Sequence, residues 1–386
     1  MQLKKMSNKR SLSGAVEEHL LAMLPKQKKI VFVNIWGRGY GDNPKYIAEE
    51  ILRQGLPYDL VWLVGDMSLT FPEGIRKVKY YSLQSKYELA TARIIISNAK
   101  GRLPYIKKKS QYYIQTWHGG FPLKYIEQEA EDDLAPDYRR DTIYDSSITD
   151  LLLSGSDFQT AIMEKSFWYN GEIFKKGVPR NDVFFNYTQE DVARHKRELG
   201  VDPDCRLAIY APTFRDDFNS EAYTLDAPRL LQALRQRTGT PWKIIIRLHP
   251  SVAFQSDIFQ YGPDIINGTA LSDPQDILVA ADLLITDYSS IMMDFGIMRK
   301  PVMLFCTDLE KYTHNCRNLR PIFYELPFRR CADNDELCQA VSTFDKVEYL
   351  AKLDDFLTRH YHSYDDGHAS AHVVERIKEV VERSYD

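Results

Sequence analysis

The sequence predicts two doubly wound α/β halves facing a cleft, and three observations carry that expectation. Short runs rich in Val, Ile and Leu alternate with helical patterns from residue 29 onward. Most of these runs are continuously apolar, as in strands buried on both faces of a parallel sheet. The alternation pauses between about 183 and 205, where FFNYTQEDVARHKRELGVDPDC reads as a polar helix and turn, and then resumes. The pause sets a boundary near 186, between a first α/β half at 30–186 and a second at 187–386.

In the first half, strands are expected at 30–36 (IVFVNIW), 59–65 (DLVWLVG), 77–82 (KVKYYS), 93–98 (RIIISN), 112–117 (YYIQTW) and 151–155 (LLLSG). In the second, they are expected at 206–212 (RLAIYAP), 242–248 (WKIIIRL), 282–287 (DLLITD) and 301–305 (PVMLF). The first intervening helix is NPKYIAEEILRQG, 43–55, with Pro44 near its start and Gly55 as its stop. The acidic stretch from Glu127 to Asp141 carries no His or Cys, and reads as a mobile, solvated helix or loop rather than a metal cage.

Composition narrows the function classes. Fifty basic residues against fifty-four acidic ones give a net charge of −4 over 386 residues, so no global polycation points to nucleic acid. The five cysteines (Cys205, Cys306, Cys316, Cys331 and Cys338) form no CxxC pair, which argues against a zinc ribbon or a disulfide framework. No apolar run reaches the roughly 18 residues of a membrane span, and the N-terminus lacks the apolar block of a signal peptide. A cytoplasmic protein without metal or cofactor is the expectation. Residues 1–29 are locally basic, with Lys4, Lys5, Lys9, Arg10, Lys26, Lys28 and Lys29 against Glu17 and Glu18. Val16, Leu20, Leu21, Met23 and Leu24 add an apolar helix face. That pattern suits a peripheral helix on an anionic leaflet, and equally a solvated tail before a packed helix.

Three strand ends carry the chemistry. In QTWHGGFPLK (115–124), His118 stands at a strand's carboxyl end, a site where an open α/β sheet exposes ligand groups. Gly119 and Gly120 allow close backbone approach, His118 is a candidate general base, and Lys124 a candidate phosphate partner. In KIIIRLHP (243–250), Arg247 and His249 share one face of a strand end and suit anion recognition. In ADLLITDYSSIMMDFGIM (281–298), the strand ends at Thr286 and Asp287, and Ser289 and Ser290 open a helix that carries Asp294. Free N–H groups and hydroxyls there favour an anion. Neither GxGxxG nor GxxxxGK[ST] occurs, which disfavours a dinucleotide or P-loop site. Arg180 in GVPRND (177–182), and Thr213 and Arg215 in YAPTFRDD (210–217), sit in turns after strands.

Taken together, WHGGFPLK at 117–124, G-x-PRND at 177–182, YAPTFR at 210–215, RLHP at 247–250, TDYSS-x-xxDF at 286–295 and DG-x-AS at 366–370 resemble the CDP-glycerol glycerophosphotransferase family. The first motif is one residue longer than in the teichoic-acid polymerases of that family, and arginine stands at 247 in place of their lysine. The resemblance implies a glycosyltransferase-B-type architecture of two Rossmann-like domains, the first on the acceptor side and the second binding the nucleotide donor. It also implies transfer of glycerol phosphate from CDP-glycerol to a hydroxyl of a lipid-linked glycan or polyol-phosphate polymer, with release of CMP, in teichoic-acid or capsular polymer synthesis. His118, His249 and Asp294 would be catalytic, with His118 as the base. Gly119, Lys124, Arg180, Thr213, Arg215, Arg247, Thr286, Asp287, Ser289 and Ser290 would bind substrate. With lipid-linked acceptors, the basic N-terminal segment would attach peripherally to the inner face of the membrane. A glycosyltransferase using a nucleotide sugar, a CDP-ribitol enzyme and a catalytically silent binder of polyphosphate or anionic lipid are the alternatives.

Overall fold

The structure, a computed structural model, describes residues 12–215, 220–271, 273–315 and 318–383. Two all-parallel sheets form. The first holds β1 (Gln27–Val33), β2 (Asp59–Val64), β3 (Ile75–Lys79), β4 (Ala92–Ser97), β5 (Tyr112–Gln115), β6 (Leu151–Ser154) and β7 (Glu172–Lys175), in the order β3-β2-β1-β4-β5-β6-β7. The second holds β8 (Arg206–Tyr210), β9 (Trp242–Ile246), β10 (Ile265–Asn267), β11 (Leu283–Thr286), β12 (Val302–Phe305) and β13 (Arg329–Cys331), in the order β10-β9-β8-β11-β12-β13. Both orders reverse direction once, between β1 and β4 and between β8 and β11. Ligands of open α/β sheets bind outside the strand ends at such a reversal.

The central strands β1, β2, β4 and β6 are buried along most or all of their length, as continuous apolar runs require. Two strands, β10 (IIN) and β13 (RRC), have no counterpart among the expected runs, and β7 (EIFK) is the strand expected before GVPRND, for which the sequence sets no bounds. All three are edge strands of three or four residues, with only one face to bury. The helix Asp42–Arg53 follows β1 and Gly55 adopts φ 63° just beyond it, in agreement with its role as a stop.

The chain's end does not stay with the second sheet. Helix Ala369–Glu382 places Val373, Val374, Ile377 and Val380 in the core beside Ile30, Phe32, Ile47 and Ile51 of the first half. In the other direction, Phe121 and Leu123, from the loop after β5, belong to the core of the second half. Arg320 donates its backbone N–H to the Leu123 carbonyl (2.8 Å) and its Nε–H to the Pro122 carbonyl (3.1 Å).

The acidic segment is anchored at its start, while Asp132, Asp133 and Asp137 are exposed to solvent as expected. Glu127 is buried and accepts hydrogen bonds from the Tyr138 hydroxyl (2.7 Å) and from Thr142. Burial opposes ionisation of Glu129, yet hydrogen bonds from Arg320, Ser166 and Lys165 hold its carboxyl down to about 2. The described residues contain no helix long and apolar enough to cross a membrane and no His/Cys/Asp/Glu group able to hold a metal. Cys316 and the basic residues Lys4, Lys5, Lys9 and Arg10 lie outside the described residues.

Candidate active site at the cleft

β5 stops at Gln115 because Trp117 turns into the left-handed region, φ 56°, uncommon for a bulky side chain and typical of functional loops. Asn43 holds this turn by donating to the Trp117 carbonyl (3.0 Å). His118 follows, its Nδ1 2.7 Å from the Asn98 carbonyl. A carbonyl only accepts, so Nδ1 carries the proton and Nε2 the lone pair. Burial lowers the pKa of His118, so the ring is neutral at pH 7.

Arg180 ties this loop to the second half. Its Nη1 donates to the His118 carbonyl (2.7 Å) and meets Asp42 (3.2 Å), while its Nη2 meets Asp294 (2.9 Å). Both side chains of the Arg180–Asp294 pair are nearly inaccessible to solvent. Burial raises the pKa of Asp294 despite Arg180, and its Oδ1 has no hydrogen-bond partner. A methyl group at Gly120 would lie 3.3 Å from that oxygen, so the motifs around His118 and Asp294 meet across the cleft at a position where a side chain scarcely fits.

His249 lies on the opposing wall, its ring 4.6 Å from that of Phe214. Burial first, then the positive groups Arg38, Arg247 and Lys124 and the ring of His118, press its pKa down to about 4. The two imidazoles therefore share one electrostatic environment. Leu248 is fully buried between Arg247 and His249, which are only partly so, in keeping with a shared face for the latter two. Burial lowers the pKa of Arg247, whose Nη2 donates to the Leu271 carbonyl (3.3 Å) while its Nε finds no partner.

The remaining residues divide by what they already hold. Thr286 donates its hydroxyl to the Ala211 carbonyl (2.7 Å). Asp287 accepts from the backbone N–H groups of Thr213 (2.8 Å) and Tyr288 (2.6 Å), which clamps the turn after β8 to the turn after β11. Arg215 is engaged by Asp308 (2.7 Å) and Asp287 (3.0 Å) and lies over the ring of Tyr312. These three build the cleft wall. The Thr213 hydroxyl is buried without a partner. Ser289 Oγ accepts from the Ile291 N–H (3.4 Å), and Ser290 precedes helix Ile291–Ile297 without capping it through its side chain. Lys124 pairs through its backbone with Leu319, its Nζ 5.3 Å from the Tyr312 ring. Gly119 accepts at its carbonyl from Gln159 (2.9 Å).

Several site residues are absent from the sequence reading. Asn98 orients His118 and is itself paired with Asn34, Nδ2 to Oδ1 at 2.7 Å. Both asparagines stand one residue past a strand, at the ends of β4 and β1, and the strand-end rule applied to RIIISN identifies Asn98. Asp365, in DDGHAS, is half-buried and accepts from the Val178 N–H (2.7 Å) and Asn181 Nδ2 (3.0 Å), and desolvation raises its pKa to about 7. Asp42, which meets Arg180, carries no sequence signal of its own.

Residues 17–379 match the family model described as CDP-Glycerol:Poly(glycerophosphate) glycerophosphotransferase. The chain belongs to this family. It is 32% identical over 366 residues to the teichoic acid poly(glycerol phosphate) polymerase of Staphylococcus epidermidis, covering 91% of this chain and 50% of that protein. With the Bacillus subtilis protein of the same name it shares 30% identity over 84% of this chain and 45% of the other. The chain thus spans about half the length of these two curated relatives. The teichoic acid glycerol-phosphate transferase of Staphylococcus aureus, 27% identical, is matched over 93% of this chain and 95% of its own length. The structure of the wall teichoic acid polymerase TagF superposes with a TM-score of 0.82 at 31% identity, over 96% of this chain and 94% of that one. A TagF variant soaked with CDPG gives a TM-score of 0.83. A Listeria monocytogenes UDP-N-acetylglucosamine 2-epimerase, 13% identical with a TM-score of 0.54, shares the fold only. The architecture is the glycosyltransferase-B type.

Proposed function

We propose that this chain transfers glycerol phosphate from CDP-glycerol to a hydroxyl group of a teichoic-acid-type acceptor and releases CMP. The observation that carries this reading is His118, a neutral imidazole with its Nδ1 proton fixed on Asn98 and its Nε2 lone pair available, in the electrostatic field of His249 at one cleft. The acceptor oxygen attacks the phosphorus next to glycerol, and its proton passes to His118 Nε2. The new P–O bond replaces the one to the CMP phosphate, which leaves with the electron pair. Arg247 and the Thr213 hydroxyl, each with a buried donor atom lacking a partner, offset the charge on that phosphate. Arg180, Asp287 and Arg215 hold the walls in register. Asp294 lies beside Gly120 and faces the same cleft, where it would stand near the donor glycerol.

The acceptor is proposed to be lipid-linked and the enzyme to work at the inner face of a membrane. Helix Leu12–Met23 supports this: it leaves Val16, Leu20 and Met23 exposed at i, i+4 and i+7, while Leu21 packs on the first half's core. The test is nucleotide release by purified protein with a polyol-phosphate acceptor, read as CMP from CDP-glycerol or CDP-ribitol and as UDP from UDP-sugars. CMP release with CDP-glycerol well above the others is the expected result. Turnover of a UDP-sugar alone would overturn the proposal.

A further inference from the structure

The loop after β1, IWGRGYGD (35–42), leaves the carboxyl end of a strand at which the first sheet reverses its order. Open α/β sheets take their ligands at such a place. Within the loop Ile35, Trp36 and Asp42 hold φ of 36°, 54° and 55°, an outlier for β-branched Ile35. Strain of this kind persists only where the surroundings impose it, and it gathers at ligand clamps. Here the Gly65 N–H donates to the Gly37 carbonyl (2.8 Å), and Asn34 Nδ2 donates to the Arg38 carbonyl (3.0 Å). Both flanks of the loop also reach His118. Asn34 pairs with Asn98, whose carbonyl meets His118 Nδ1, and Asp42 pairs with Arg180, which donates to the His118 carbonyl. Arg38 stands at the centre of this braced loop. Its side chain is exposed and has no hydrogen-bond or ion-pair partner among the described residues. Arg180 and Arg215, which hold the walls, are by contrast buried and paired with carboxylates. After burial, Arg38 is the foremost of the charges that lower the pKa of His249, ahead of Arg247 and Lys124. Its backbone thus belongs with His118 and its charge with the opposing wall.

We infer that Arg38 binds the phosphate that is transferred, reaching across the cleft opposite Arg247 on the CMP phosphate. The two halves then supply one arginine each to the diphosphate of the donor. The inference rests on the glycerophosphotransfer reading and adds to it a substrate-binding residue from the first half. A guanidinium fork matches two oxygens of one phosphate, and its charge offsets the negative charge there while the acceptor oxygen attacks. Position decides which phosphate it meets. The attacked phosphorus lies between His118 and the departing CMP phosphate, and Arg38 is the cation whose loop is fastened to His118 at both ends. That fastening fixes the distance between the base and the phosphate on which it acts. An arginine of purely structural use would be expected to hold a carboxylate or carbonyl, as Arg180 does.

The test is calorimetric titration of the parent, Arg38→Gln and Arg38→Lys with CDP-glycerol, CDP and CMP. Arg38→Gln is expected to weaken CDP-glycerol and CDP roughly 10–100-fold and to leave CMP affinity unchanged. Arg38→Lys should recover part of the loss, and melting curves of all three proteins should coincide because the side chain is exposed. Three results would overturn the inference: CDP binding unchanged in Arg38→Gln, equal losses for CMP and CDP, or a parent that binds CDP no tighter than CMP. The reading of function is tested apart from this, by CMP release from CDP-glycerol. A parent without that release, whose Arg38→Gln variant still loses CDP selectively, would strike the reading and leave the arginine site standing. A parent that releases CMP, with a variant that binds and turns over equally, would strike the inference and leave the reading standing.

Discussion

Replacing Arg180 by methionine keeps much of its stem and removes the one cation that Asp294 faces. The side chains of Arg180 and Asp294 are 6% and 5% exposed, so water cannot replace the lost partner. Breaking a buried pair by removing one member typically costs about 3–5 kcal/mol, because the other charge is left uncompensated. Here the carboxylate is worse placed than most, since Asp294 Oδ1 already lacks a partner. The cost also depends on pH in a definite direction. Burial already raises the pKa of Asp294 with Arg180 present, and losing that cation raises it further. The carboxyl of the variant is therefore held protonated in the folded state, which opposes folding increasingly as pH rises above the unfolded carboxyl range. The deficit should be largest near pH 8 and shrink on acidification to pH 5. A double-mutant cycle with Asp294→Asn isolates the pair: the double variant should lose less than the sum of the singles by about 1–3 kcal/mol. Urea unfolding followed by tryptophan fluorescence at both pH values reads all of this. A deficit independent of pH, or singles that simply add, would refute the argument that an unpaired buried charge is the cause.

Other consequences are equally direct. His118→Ala should lower CMP release about 10²–10⁴-fold without changing the melting curve, and a variant with near-normal turnover would remove His118 as the base. Because burial lowers the pKa of His118, kcat/KM in the parent should rise below pH 6.5 and level off at neutrality, and this limb should vanish in the variant. Asp365, whose pKa is raised to about 7 from 3.8, binds its proton more tightly folded than unfolded, so stability should fall as pH rises between those values. Asp365→Asn should flatten that slope in urea titrations, with Asn181 turning its unpartnered Oδ1 toward the new amide; an unchanged slope would place the titration elsewhere. Leu20→Glu on the exposed stripe should weaken sedimentation with vesicles containing anionic lipid while leaving soluble CMP release intact, and equal sedimentation would separate this helix from any membrane contact.

The layered architecture and the candidate groups at the strand ends are legible in residue order alone. Most of the expected runs are legible because a strand covered on two faces needs an apolar residue at nearly every position; β3 (IRKVK), at the edge of the first sheet, buries only Ile75 and Val78 and is marked by alternation instead. β10 and β13 carry neither mark: an edge strand buries one face over three residues, and RRC or IIN carries too little pattern to separate from a loop. His118, Arg247, His249 and Asp294 are legible for a related reason, since strand ends and first helical turns are marked by local residue order. What those groups do once assembled depends on partners distant in the chain. Asn98, twenty residues before His118, sets its tautomer; Asp294, 114 residues after Arg180, fixes that arginine as a link between the halves. Arg215 stands in a motif that reads as a phosphate ligand, yet Asp287 and Asp308 converge on it, and Glu129, in the acidic run at 127–141, reads as solvated until Arg320 reaches it from the second half. The last helix likewise returns to the first sheet. Local order states which groups are available at a strand end, whereas burial and long-range pairing, which set charge and orientation, exist only when the two sheets are brought face to face.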